Sequence, residues 1–156
     1  MYFAFLLLTL LVGGCSTPYQ AMGFLGGVEA QQMTANTFRI VARGNGYTSG
    51  TAIQDYTILK AAETTRQHGA THFQIISASN ASSTGHIVVP GQANTTFVGN
   101  TAMTTYSPST VHQYVRPGQD TYIRIINVAP GQQPPHGVFS ADEIIQFVGS
   151  RVKRPA

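Results

Sequence analysis

The chain holds a single cysteine, Cys15, so no disulfide can form within it and any fold must stand on burial and hydrogen bonding alone. Of its 156 residues 42% are hydrophobic and 10% charged, enough apolar material for one modest core and one globular domain. Gly, Pro, Ser, Thr, Asn and Gln are abundant while Lys and Glu are scarce, which suits strands, turns and polar loops better than a helical bundle. Nine Lys and Arg against six Asp and Glu leave a net charge of +3. The basic residues are scattered except for Arg151, Lys153 and Arg154, too thin a surface for nucleic acid.

The position of that cysteine is itself informative. Phe3 to Val12 is an apolar run broken only by Thr9, the length of a signal-peptide core and about half of what a spanning helix requires. It ends in Val12-Gly13-Gly14-Cys15, which resembles the lipobox of bacterial lipoproteins. That resemblance implies signal-peptidase recognition through Val12, Gly13 and Gly14, cleavage before Cys15 and diacylglycerol on the Cys15 sulfur. A buried opening strand or an uncleaved anchor are the competing readings; the run's terminal place, short length and small-residue ending disfavour both. The first basic residue is Arg39, so the leader's positive end is only the Met1 amine and a start upstream of Met1 stays open. One acyl chain holds a membrane weakly, so several chains on Cys15 are expected. Ser16 stands where Asp would favour inner-membrane retention in enterobacterial sorting, which points to the outer membrane, facing the periplasm.

Beyond the leader (1–14), residues 15–34 are rich in Gly, Gln and Ala without a period and read as the lipidated cysteine and a flexible tether. A single domain is expected over 35–152, followed by a basic tail, 153–156. Thr37 to Arg43 sets Phe38, Ile40 and Ala42 against Arg39, Val41 and Arg43, the period of a strand with one buried face, and Gly44-Asn45-Gly46 then turns the chain. From Thr51 to His68 the spacing of Ile53, Tyr56, Leu59 and Ala62 predicts a helix, capped by Ser49 or Thr51 and stopped by Gly69. Thr71 to Ala78 reads as a strand, and 80–110, dense in Ser, Thr, Asn and Gly, as a polar loop or loose hairpin. Val111–Val115 and Tyr122–Val128 read as strands joined in a hairpin through Arg116-Pro117-Gly118-Gln119. Ser140-Ala141-Asp142-Glu143 is a capping box that opens a second helix carrying Ile144, Ile145 and Val148. Together these predict an α+β fold, a two-layer sandwich with two helices packed on a mostly antiparallel sheet.

Arg43-Gly44-Asn45-Gly46-Tyr47-Thr48, Asp55-Tyr56, Ala61-Ala62-Glu63, Gly69 and Phe73 together resemble a family of short, largely uncharacterised proteobacterial lipoproteins. The likeness covers Phe38 to Ile76 and the lipobox, and implies localisation and fold; no catalytic residue is carried over from it.

No chemistry-bearing constellation emerges. Gly44-Asn45-Gly46 lacks the further glycine and lysine of a phosphate loop. His68 and His72 straddle the Gly69 stop, and with His86, His112 and His136 they form no metal-ligand pattern, so no metal and no cofactor are expected. Asp55, Glu63, Asp142 and Glu143 have helix-end or structural roles, and no nucleophile elbow or triad is visible. Tyr47, Tyr106, Tyr114 and Tyr122 fit strand packing, and Tyr56 the helix's apolar side. The expected function is a non-enzymatic interaction or scaffold module of the cell envelope, on the membrane through Cys15 and partnered by another envelope protein. The alternative is an envelope hydrolase or small-ligand binder with a pocket between helix and sheet near Tyr47, Asp55 or His72.

Overall fold

The computed structural model describes residues 15–155; residues 1–14, with the expected signal-peptidase site at Val12, Gly13 and Gly14, lie outside the described residues. Alternation along the strands decides the core. On β2 (Thr37–Arg43) Phe38, Ile40 and Ala42 are buried while Arg39 and Arg43 on the opposite side stay half-exposed. Register then stacks apolar residues across the sheet: Phe38 faces Ile123 of β8 (Gly118–Ile126), and Ile123 faces Ile75 of β3 (His72–Asn80). With β1 (Gly27–Gln32) and β9 (Val138–Ser140) at the edges, the order is β1-β2-β8-β3-β9, every pair antiparallel.

The helix α1 (Gly50–Gln67) lies against β1, β2, β8 and β3 and buries Ile53, Tyr56, Leu59 and Ala62, the residues its spacing predicts. Ser49 caps it, its side chain accepting from Ala52 N–H at 3.1 Å, and Gly69 ends it at φ +73°. α2 (Ala141–Gly149) packs on α1 through buried Ala141 and Val148; Ser140 caps it, accepting from Glu143 N–H. Over the described residues the chain is an α+β protein with two helices and antiparallel sheets.

Two expectations about the path of the chain are corrected. The segment 15–34 is no flexible tether: Thr17, Tyr19 and Val28 are buried, and β1 pairs along its whole length with β2. Its glycines serve geometry instead of looseness, since Gly27 sits at φ +137° with a notional Cβ only 2.5 Å from the Ala21 carbonyl oxygen. The basic tail is strapped down as well, Tyr19 N–H donating to the Lys153 carbonyl at 2.8 Å.

The hairpin expected at 116–119 is absent; the chain runs straight from β7 (Thr110–Arg116) into β8. Pro117 and Gly118 mark a close crossing, the Pro117 carbonyl accepting from Gly44 N–H at 2.8 Å and Gly118 lying against the Ala81 carbonyl. The reversal occurs at Gly99-Asn100, where β5 (Gln92–Val98) turns into β6 (Thr101–Ser107). β3 runs on into β4 (Ser83–Val89) and β5, and β6 and β7 return beside them. Ser83 faces Arg116, Val89 faces Thr110, Gln92 faces Ser107 and Val98 faces Thr101. Two residues bridge the gap on each strand, so one register runs the length of a long two-stranded arm.

Candidate anchor site around Cys15

Cys15 is exposed, and a single residue, Ser16, separates it from Thr17, which is 1% exposed. Every polar group of Thr17 is engaged. Its N–H donates to Thr48 Oγ1 at 2.9 Å, and its carbonyl accepts from the Tyr56 hydroxyl at 2.8 Å. Its Oγ1 donates to the Leu25 carbonyl at 2.9 Å and accepts from Asn45 N–H at 3.0 Å. Asn45 reaches further: Nδ2 donates to the Cys15 carbonyl at 2.7 Å, while Oδ1 accepts from Tyr47 N–H and the Thr48 hydroxyl, both at 3.0 Å. The turn after β2 is therefore a latch for the backbone immediately following Cys15. Gly44 lets the turn close, because a Cβ there would lie 2.7 Å from Thr48 Cβ.

A second set of contacts holds the latch to α1. The Tyr19 hydroxyl donates to Glu63 Oε2 at 2.5 Å, its ring meets Tyr56 edge-on at 5.6 Å, and the Arg154 guanidinium lies 5.0 Å over it. Arg154 also binds Glu63 at 2.8 Å, and Arg151 grips both oxygens of Asp55 at 2.8 and 2.6 Å. Asp55, Tyr56 and Glu63 thus fasten the two ends of the domain to one helix.

Burial, reinforced by the hydrogen bond to Glu63, pushes the Tyr19 phenol well above its ordinary range, and burial with the nearby Asp55 charge raises Tyr56. Both phenols are held neutral in the folded state, whereas in the unfolded chain they ionise near pH ~10. The stabilisation is complete below that pH and is lost as pH rises through the folded values. Melting temperatures should accordingly hold level across neutral pH and fall above about pH 10, more steeply for the wild type than for the double variant Tyr19→Phe/Tyr56→Phe. Parallel alkaline slopes for the two would contradict this assignment.

The other sequence candidates stand apart from the latch. His68 ends α1, its Nδ1–H donating to the Thr64 carbonyl at 2.8 Å, and His72 contacts Thr71 Oγ1. His86 and His112 lie on the arm and His136 in the loop before β9. Among the described residues no three His, Cys, Asp or Glu side chains converge as metal ligands. Tyr47 and Tyr106, expected in strand packing, are 76% and 71% exposed.

Tyr47, Tyr56, Asp55 and Arg151 share a cleft of about 260 Å³, which Ser16, the residue after Cys15, also lines. Another of about 360 Å³ opens between the helices and the sheet, lined by Ile58, Phe73, Ile123, Ile144 and the Asp55–Arg151 pair. His72 lines neither. Sequence reading saw residues 44–48 as a turn and missed its engagement with Thr17, because the partner lies nearly thirty positions upstream in a segment with no period.

Among the described residues no helix is long and apolar enough to cross a membrane. Compared with family models, curated proteins and solved structures, the chain matches none.

Proposed function

We propose that this is a lipid-anchored protein of the bacterial cell envelope, cut before Cys15, acylated on the Cys15 sulfur and serving as a non-enzymatic interaction or scaffold module. The observation that carries the reading is the latch: the backbone after the only cysteine is gripped by Asn45, Thr48 and Tyr56 while the cysteine itself stays exposed. One intervening residue spans ~3.5 Å, so the domain would sit on the bilayer in a set orientation instead of hanging from a line. Phe24 and Leu25, 104% and 66% exposed, occupy the turn whose Leu25 carbonyl Thr17 binds, well placed to enter the headgroup region beside the acyl chains.

A two-layer body, helices on one face of the sheet, leaves the Arg39 and Arg124 side for an envelope protein partner. Kinship with the short proteobacterial lipoproteins draws support from the use of Asn45, Thr48, Asp55, Tyr56 and Glu63, all within the shared motifs, in the latch and its strap. Ser16 after the acylated residue favours the outer membrane, on its periplasmic side.

Cys15→Ser should move the protein from the membrane to the soluble fraction and abolish incorporation of labelled fatty acid. A wild-type protein without acyl label, or a variant that still fractionates with membranes, would defeat the proposal.

A further inference from the structure

The arm is the least self-sufficient part of the molecule. Its strands β4–β7 and β5–β6 form two-stranded sheets only, and among the described residues the long edges on both sides have no partner strand. Nearly every side chain from Ser83 to Arg116 is exposed on both faces, including Val88, Val98, Phe97, Met103, Val111 and Val115. At ~3.3 Å per residue the stretch from Ser83 to Val98 measures about 50 Å. An isolated ribbon of this kind is marginal in water.

Exposed edges are ordinarily protected by charge, yet from Gln67 through Val115 the chain contains no Lys, Arg, Asp or Glu. Pro90 and Pro108 interrupt the edges at one level only, leaving seven-residue strands above and below it.

The arm's root adjoins the anchor. A Cβ on Gly46, the residue after Asn45, would lie 2.6 Å from the Tyr114 ring, which also covers Gly85 across the ribbon. Copies anchored through Cys15 would therefore hold their arms at one common angle to the membrane, an ordering that rests on the proposed lipidation.

We propose that the arms of several copies of this chain pair edge to edge into a closed ring of strands. With the arms parallel about a rotation axis, the outgoing edge (β4, β5) of one copy meets the returning edge (β6, β7) of the next, and those strands run antiparallel. The contact is heterologous and closes by rotation. A second copy is the occupant the edges fit: it brings the same unpaired backbone donors and acceptors over the same length, and from Ser83 to Val115 neither edge carries a charge to repel it. Each added copy covers one edge and leaves one, so only closure satisfies all of them.

The test uses the full acylated chain extracted from bacterial membranes in mild detergent, with particle mass read by light scattering. Two variants accompany it: Thr96→Lys/Thr105→Lys, which puts charge on both edges, and deletion of residues 92–107, which shortens the arm at Pro90-Gly91 and Pro108-Ser109 and leaves the five-stranded sheet intact. The wild type should run as one discrete species of at least three chains, and both variants as single chains that remain acylated and membrane-bound. A monomeric acylated wild type overturns the ring, as does a multimer that survives the deletion. So does an arm protected from protease by phosphatidylethanolamine–phosphatidylglycerol vesicles while the chain stays monomeric. Loss of acylation in the wild type would instead count against the proposed function, so the two failures are distinguishable.

Discussion

Phe73→Ala should lower the unfolding free energy by about 3–5 kcal/mol, the largest single-residue effect expected in the domain. Phe73 is fully buried, sits opposite Ile125 and Phe139, and stacks on the Phe139 ring at 5.7 Å. A domain of this size has on the order of 5–15 kcal/mol in total, so the variant would lose about a fifth or more of its margin. Because Phe73 also lines the cleft under the helices, inward collapse of Ile58 and Ile144 is the relaxation that competes with cavity formation. Urea unfolding decides between them: a lowered midpoint with an unchanged slope reports the cavity, whereas a loss under ~1 kcal/mol would mean the cleft closes to fill it.

Thr17→Val is nearly isosteric and should nonetheless open the latch. It removes one hydroxyl and so leaves the Asn45 N–H and the Leu25 carbonyl without their partner. A fully buried group left unsatisfied costs ~1–3 kcal/mol, so for these two part-buried groups the expected cost is at most about 6 kcal/mol, concentrated on residues 16–20. Amide exchange there should accelerate by a factor of ten or more while amides of β2 and β8 keep most of their protection, and Thr17→Ser should restore the wild-type rates. Uniform acceleration across the domain would show that the N-terminal segment is part of the global folding unit and not a separable latch.

The body of the fold was largely legible because its elements are periodic. Phe38, Ile40 and Ala42 alternate along β2, and Ile53, Tyr56, Leu59 and Ala62 keep helical spacing along α1; the face each presents follows from bond geometry alone. Ser49, Gly69 and Ser140 were readable as caps for the same reason, each acting within three or four residues of its own position. Residues 15–34 and the Pro117-Gly118 step were not. Glycine and proline report only that the backbone departs from the ordinary, and a flexible linker, a tight turn and a close crossing share that signature. What separates them is the atom on the other side: the Ala21 carbonyl under Gly27, the Ala81 carbonyl under Gly118.

Local pattern therefore determined which segments become strand or helix, which side of each is apolar, and that this chain has one cysteine, placed directly after an apolar run and two glycines. Tertiary structure alone decided that the residues after Cys15 are held and not loose, and that the strands after Val89 and before Thr110 continue one ribbon instead of wandering. Both outcomes depend on partners far away in the chain, Thr17 with Asn45 and Thr48, and Ser83 with Arg116, whose register continues unbroken to Val89 with Thr110. Hydrogen bonds between distant backbones carry no side-chain signature, so such partners become visible only once the chain has closed on itself.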